Sequence, residues 1–154
     1  MYKIIDVNKD QRFSVISKLE SIFGSLEDRT IAIWGLAFKP NTDDVREAPA
    51  HYLIKFLLDA GATIKAYDPE AMKNVKQIYG DKVYFAADEY DTLKGADFLV
   101  IATEWNEFRS PDFDKIGALL KEKLIFDGRN LYNLSTIKEL GYIYYSIGRE
   151  KVNA

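Results

Sequence analysis

Short apolar segments alternate with helical segments along almost the whole of this 154-residue chain. The apolar segments are rich in β-branched and aromatic residues, as in Thr30–Trp34 and Ile143–Ser146, which favours strands over helices. Continuous apolar strands separated by helices are typical of a parallel sheet that is covered on both faces. We therefore predict a doubly wound α/β fold with a mainly parallel, six-stranded sheet.

The spacing of apolar residues sets the expected bounds of each element. The predicted strands are residues 30–34, 63–67, 83–85, 98–102, 124–126 and 143–146. The predicted helices are residues 6–23, 48–61, 70–79, 88–93, 111–121 and 135–140. Gly24 is expected to end the first helix, and Asp44 to cap the second, with Glu47 three residues later as in a capping box.

Three loops of this fold carry chemically informative side chains. Right-handed crossovers put every loop that follows a strand on one edge of the sheet, where ligands of such folds bind. The loops at residues 38–46, 103–109 and 127–130 all follow strands, and they contain Lys39, Arg46, Arg109 and Arg129. Four cations at one edge suit a diphosphate better than they suit an apolar ligand.

The first of these loops lacks the glycines of a dinucleotide-binding fingerprint. Gly35 is followed by Leu36, Ala37 and Phe38, so the pattern G-x-G-x-x-G is absent. A phosphate would then meet Lys39 as a point charge instead of a backbone cradle. Asp68, after the second strand, has two interpretations: a ribose-binding acid, or, as the more common case, the start of the next helix.

Composition narrows the classes of function. A net charge of −3 without a long basic run argues against nucleic-acid or membrane-surface binding, so no such partner is expected. The complete absence of cysteine excludes disulfides, cysteine zinc sites and a cysteine nucleophile within these residues. No signal-peptide pattern or membrane-length apolar run is present, and the expected location is the cytoplasm.

Other conspicuous residues are interpreted structurally. Asp43 and Asp44 lack a third ligand at suitable spacing, so no metal is expected. His51, the only histidine, has no positioned catalytic partner in the sequence and is assigned no role. Trp105 and Phe108 are expected to pack the edge of the core, and the tyrosines near residue 144 to form an aromatic terminal strand.

Four motifs in order resemble one family. The segments G-L-A-F-K-P-N-T-D-D-V-R-E-A-P, A-Y-D-P, T-E-W-N-E-F-R and I-F-D-G-R-N are similar to the C-terminal domain of the UDP-glucose 6-dehydrogenases, among the nucleotide-sugar dehydrogenases. The resemblance covers nearly the whole chain and implies a Rossmann-like, UDP-sugar-binding domain over residues 27–154. Residues 1–26 then correspond to a helical extension from the family's central domain.

The resemblance also implies roles for individual residues. Phe38, Lys39 and Arg129 match residues that bind the UDP-sugar, and Arg46 matches one that reaches the NAD held by the N-terminal domain. The implied reaction is the NAD-dependent oxidation of UDP-glucose to UDP-glucuronate through a thiohemiacetal on a cysteine, in polysaccharide biosynthesis. The family also implies a homodimer.

The missing cysteine qualifies this expectation. The family's nucleophile and its glycine-rich NAD fingerprint lie outside the matched domain, and neither occurs in these 154 residues. Since a carbon–sulfur adduct needs a thiolate, we predict that the chain alone has no dehydrogenase activity. A UDP-N-acetylmannosamine or GDP-mannose enzyme and a stand-alone nucleotide-binding module remain as alternatives.

Overall fold

The computed structural model describes residues 17–46 and 48–153. Within them lies a sheet of six strands, β1 Thr30–Trp34, β2 Thr63–Tyr67, β3 Val83–Phe85, β4 Phe98–Ile101, β5 Leu124–Asp127 and β6 Ile143–Ser146. Its α-helices are α1 at residues 17–23, α2 Pro49–Asp59, α3 Met72–Tyr79, α4 Phe113–Leu119 and α5 Leu134–Glu139. Short 3₁₀ helices occupy Gly80–Lys82, Asp91–Leu93 and Asn106–Phe108.

All pairings between neighbouring strands of this sheet are parallel, in the order β3-β2-β1-β4-β5-β6. The chain therefore reverses its direction of winding between β1 and β4, which are adjacent in the sheet. Ile31 lies opposite Ile64 on one side and Phe98 on the other. This is the strand order of dinucleotide-binding folds, and it confirms the predicted doubly wound, Rossmann-like sheet.

Alternation along the strands divides the core into two layers. Ile31 and Ile33 face one layer, to which α1, α2 and α3 contribute buried apolar side chains. Ala32 and Trp34 face the other layer, which α4 and α5 cover through Ile116 and Ile137. Both sheet faces are thus shielded from water, which explains why the strands are continuous apolar runs.

The expected strands agree with the structure to within one residue at each end, and the main differences concern helix ends. The predicted capping role of Asp44 is wrong, because α2 begins at Pro49 after Ala48 and has no side-chain cap. Proline favours this first helical position, since it has no N–H to leave unpaired and its φ is already helical. Asp44 instead accepts hydrogen bonds from Arg46, and Glu47 lies outside the described residues.

Three other helices are shorter than expected, and one of them is α4, which spans Phe113–Leu119 instead of residues 111–121. α3 begins at Met72, two residues late, because Asp68 holds the preceding turn, and residues 88–93 contain only the 3₁₀ turn Asp91–Leu93. Helix α1 ends at Gly24, whose φ of 67° is left-handed, as predicted. The part of the predicted first helix before residue 17 lies outside the described residues.

Candidate functional site

The buried carboxylate of Asp68 organises the edge of the sheet where β1, β2 and β4 end. One oxygen accepts from the backbone N–H groups of Leu36 and Ala37 at 2.7 and 3.1 Å and from the indole of Trp105 at 3.0 Å. The other accepts from Glu70 N and Ala71 N, both at 2.8 Å. With five donors on a side chain that is 0% exposed, no lone pair faces a ribose. The structure favours the second interpretation of Asp68, the start of the turn into α3.

The loop that carries Phe38 and Lys39 is closed by its own hydrogen bonds. Phe38 N donates to Asp44 O at 2.7 Å, so residues 38–44 form a compact projection at the end of β1. The Phe38 ring is 48% exposed. Lys39 is exposed as well, and within the described residues no carboxylate or carbonyl holds its ammonium group. A ligand can therefore reach an apolar ring and a cation side by side.

Arg46 lies farther along the same loop and lines a groove between this loop and α3. Its guanidinium binds Asp44 through Nε at 3.1 Å and Nη2 at 3.2 Å, and this pairing lowers the pKa of the Asp44 carboxyl. The groove is lined by residues 43–46 and by Asn74, Gln77 and Ile78 of α3. Asn74 joins its two walls by donating to Asp43 O at 2.8 Å. Arg46 thus lies on the α3 side of the loop, with its side chain 87% exposed.

Arg129 is held by a carboxylate from the neighbouring strand end. Its Nε donates to Glu104 Oε2, and the two side chains are 30% and 26% exposed. The hydrogen bond from Arg129 holds the pKa of the Glu104 carboxyl below its usual value. The Nη groups of Arg129 have no acceptor among the described residues. The guanidinium is therefore fixed through one nitrogen and keeps its outer donors for a ligand.

The predicted site residues divide into two positions along the sheet edge. Lys39 follows β1 and Arg129 follows β5, on either side of the Glu104 loop that follows β4. Arg46 contacts the α3 side of the β1 loop, away from Arg129. Arg109, the fourth predicted cation, is exposed at the end of the 3₁₀ turn Asn106–Phe108 and contributes only a distant charge to Glu104.

The carboxyls of two further glutamates, Glu89 and Glu107, lie next to each other near this edge. Oε2 of Glu89 is buried without a hydrogen-bond partner in the described part of the chain, next to the carboxyl of Glu107. Burial, and then the charge of Glu107, raise the pKa of Glu89 to about 7. Glu107 also accepts from the Tyr67 hydroxyl at 3.3 Å. A proton on Glu89 replaces repulsion between two carboxylates by a hydrogen bond.

Folding stability should consequently fall as the pH rises through this range. The ordinary pKa of glutamate in the unfolded chain is 4.5, so the folded state binds the extra proton between that value and about 7. The stabilisation is complete below the unfolded pKa and is lost as pH rises through the folded pKa. Relative to Glu89→Gln, the free energy of unfolding of the wild-type chain should fall by about 1–2 kcal/mol between about pH 5 and pH 8, after allowing for solvent screening.

Urea unfolding at several pH values measures this difference. Glu139→Gln removes an exposed carboxyl of α5 and serves as the matched control, which should follow the wild-type curve. Parallel stability curves for wild type and Glu89→Gln would rule out a shared proton at this pair.

Sequence reasoning missed the partners that position the site. Glu104 stands in the T-E-W-N-E-F-R segment, but nothing in that segment shows that its carboxylate meets Arg129, 25 positions later. Trp105 and Phe108 are 7% and 0% exposed, which confirms that they pack the core, although Trp105 also donates to Asp68. His51 lies against the Tyr79 hydroxyl at 3.0 Å, in a contact between α2 and α3.

Two kinds of feature are absent from the described residues. No group of three metal-ligating side chains occurs among residues 17–46 and 48–153. In the same part of the chain, no helix has the length and apolar character required to cross a membrane.

Known proteins with similar sequences share most of this chain. It is 44% identical over 149 residues to the UDP-glucose 6-dehydrogenase TuaD of Bacillus subtilis, covering 97% of this chain and 32% of that protein. The UDP-glucose 6-dehydrogenase of Pseudomonas aeruginosa is 43% identical over 150 residues, covering 94% and 33%. The chain thus spans about a third of the length of these relatives.

A solved structure and a family model are similar to this chain as well. A UDP-glucose dehydrogenase from the archaeon Pyrobaculum islandicum superposes with a TM-score of 0.78 at 30% identity, covering 98% of this chain and 32% of that one. Residues 32–134 match the UDP binding domain of the UDP-glucose/GDP-mannose dehydrogenases. This match includes all of the edge loops described above and more than half of the sequence. The chain therefore belongs to the UDP-glucose/GDP-mannose dehydrogenase family.

Proposed function

We propose that this chain binds the uridine diphosphate part of a UDP-sugar, in an enzyme that oxidises UDP-glucose to UDP-glucuronate with NAD. The observation that carries the proposal is the state of Arg129, whose Nε is fixed by Glu104 while its Nη donors stay unpaired within the described residues. A guanidinium held in this way presents two parallel N–H groups to phosphate oxygens without first having to be ordered. Membership of the family supports the same ligand.

The substrate roles go to three residues at the ends of nearby strands. Arg129 supplies a bidentate contact, and Lys39 a mobile point charge that adapts to the second phosphate. Phe38 offers a half-exposed ring, against which the base or the sugar packs. All three project from the edge at which ligands bind in doubly wound sheets.

The NAD role is limited to Arg46. The first loop lacks a glycine cradle, and the Asp68 carboxylate already accepts five hydrogen bonds, so these residues do not fit an NAD bound wholly by this domain. The exposed Arg46 guanidinium fits a single contact to a phosphate held mainly by another part of the enzyme. NAD supplies the hydride acceptor there, and Arg46 contributes charge and orientation.

Chemistry at the sugar needs groups that these 154 residues do not contain. The proposed reaction proceeds through a thiolate, and the sequence has no cysteine. What this chain contributes is binding energy remote from the reacting carbon, which positions the sugar for oxidation. The homodimer and the cytoplasmic location belong to the same proposal.

Calorimetric titration of the purified chain at fixed ionic strength tests the proposal. UDP and UDP-glucose should bind, whereas GDP and NAD should bind weakly or not at all. Binding of GDP in preference to UDP would favour a GDP-mannose enzyme. The absence of any nucleotide binding would contradict a diphosphate site formed by this chain alone.

Charge reversal at Lys39 should weaken UDP binding. Because Lys39→Glu converts a charge-assisted contact into a repulsion, we expect a loss of about 2 kcal/mol or more, a factor of roughly thirty in Kd. Lys121→Glu makes the same charge change beyond α4, at the opposite edge of the sheet, and should leave Kd nearly unchanged. Equal affinities for wild type and Lys39→Glu would remove Lys39 from the site.

A further inference from the structure

The backbone around Arg129 is shaped by the buried carboxylate of Asp127. Asp127 is 2% exposed and ends β5. Its Oδ1 accepts from Arg129 N at 2.8 Å, and its Oδ2 accepts from Leu131 N at 2.7 Å. Between these two contacts, Asn130 takes a left-handed φ of 57°. The carboxylate thus fixes the turn from which the Arg129 side chain projects.

A chain of hydrogen bonds joins this carboxylate to the last residues of the chain. The hydroxyl of Tyr144, on β6, donates to Asp127 Oδ2 at 2.5 Å. Arg149 Nη2 donates to that same hydroxyl at 2.9 Å. A tyrosine hydroxyl has a single proton, so while its oxygen accepts from Arg149, that proton remains directed at Asp127. Arg149 therefore orients the donor that holds the carboxylate.

Arg149 is itself held in one position. Its Nε donates to Ser146 Oγ at 2.9 Å, and its Nη1 donates to Tyr132 O at 3.0 Å. The guanidinium lies 5.6 Å from the centre of the Tyr144 ring. Arg149 lies five residues after Tyr144 and connects β6 to Tyr132, in the segment that follows the Arg129 turn.

We infer that Arg149 is a positioning residue for the phosphate-binding arginine, and that it acts on Arg129 through Tyr144 and Asp127. The inference rests on the proposed function, in which Arg129 binds the UDP diphosphate. Glu104 fixes the Arg129 side chain and Asp127 fixes its backbone, so both ends of the residue are set before a ligand arrives. Loss of Arg149 frees the Tyr144 hydroxyl to rotate, which loosens the turn.

A purely structural role for Arg149 predicts a different result. Its contact with Tyr132 O and the backbone bridge between Tyr144 and Val152 both tie down the end of the chain. If only this anchoring matters, the effect of replacing Arg149 does not depend on the Tyr144 hydroxyl. Tyr144→Phe keeps the ring and removes the hydroxyl, so it separates the two roles in a double-mutant cycle.

The test compares Arg149→Met, Tyr144→Phe and the double variant in the full chain. Lys151→Met is the matched control, because it removes an exposed cation from the same segment, where Lys151 lies over the Tyr145 ring outside this network. Two readouts are used: the Kd for UDP, and hydrogen exchange at the amides of Arg129 and Leu131. Arg149→Met should weaken UDP binding about tenfold, the effect of one charge-assisted hydrogen bond, and speed exchange at both amides.

The double variant decides between the roles. In the Tyr144→Phe background, Arg149→Met should have no further effect on Kd or on either amide. Equal effects in both backgrounds, or a loss of stability with Kd and exchange unchanged, would overturn the inference. If wild type fails to bind UDP, the proposed function fails, while the exchange rates still decide whether Arg149 orders the Arg129 turn.

Discussion

Replacing Asp68 with alanine is expected to lower the free energy of unfolding by about 4 kcal/mol, a large part of the stability of a domain this size. The substitution removes the acceptor of five hydrogen bonds, and the donors Leu36 N, Ala37 N and Ala71 N belong to fully buried residues. Each buried donor left without a partner loses its hydration and receives nothing in return.

Urea unfolding measures the effect, and two further variants sharpen it. Asp81→Ala removes an exposed aspartate from the 3₁₀ turn Gly80–Lys82 and should change stability by less than about 0.5 kcal/mol. Asp68→Asn keeps the shape but points an amide N–H₂ at donors on one side, so it should recover only part of the loss. A cost below about 1 kcal/mol for Asp68→Ala would show that water replaces the carboxylate.

The expected loss at Asp68 also has a functional consequence. Leu36 and Ala37 immediately precede Phe38 and Lys39, so the carboxylate sets the point at which the β1 loop leaves the sheet. The Trp105 indole ties the loop after β4 to the same oxygen. One buried aspartate thus holds together the loops that flank the proposed diphosphate site, and its replacement should weaken UDP binding along with stability.

Strand positions followed from the sequence because burial on both faces leaves a simple signature. Thr63–Tyr67 is followed by Asp68 and Pro69, and Val83–Phe85 is preceded by two charged residues; the ends of both strands agree with prediction. Where a helix begins depends on which of several competing local hydrogen bonds forms, and residue type alone does not show which one wins. Aspartate is a common helix cap, but the Asp44 carboxylate accepts hydrogen bonds from Arg46 instead, and α2 begins at Pro49.

The sequence predicted which loops form the candidate site, but not which charged side chains in them contact one another. Parallel topology alone puts the loops of Lys39 and Arg129 on one edge. Which charges meet across that edge depends on side-chain geometry, so the Glu104–Arg129 pair and the Glu89–Glu107 pair were invisible in sequence. The connection from Arg149 to Asp127 passes through the Tyr144 hydroxyl on β6, and no spacing in the sequence indicates it.

Gly35→Ala is expected to lower the free energy of unfolding by about 3–5 kcal/mol, because the new side chain strains the backbone and also collides with Thr103. Gly35 has a φ of 96°, which L residues rarely adopt. A Cβ at this position would lie 2.5 Å from Thr103 Cβ and 2.6 Å from Thr103 N. The second contact is with backbone, so no change of rotamer relieves it, and shortening the Thr103 side chain leaves it in place.

Gly95→Ala separates the two contributions. Gly95 has a φ of 74°, and a methyl group added there would meet no atom within 4 Å beyond its chain neighbours, so only strain remains. Its cost should therefore be about 1 kcal/mol. Equal unfolding free energies for the two variants would contradict the collision.

The excess expected at Gly35 measures how tightly the loops after β1 and β4 approach at the point where the chain reverses its direction of winding. There, Thr103 Oγ1 donates to Ala37 O at 2.8 Å, so the glycine that precedes Lys39 serves contact between protein loops and not a phosphate cradle.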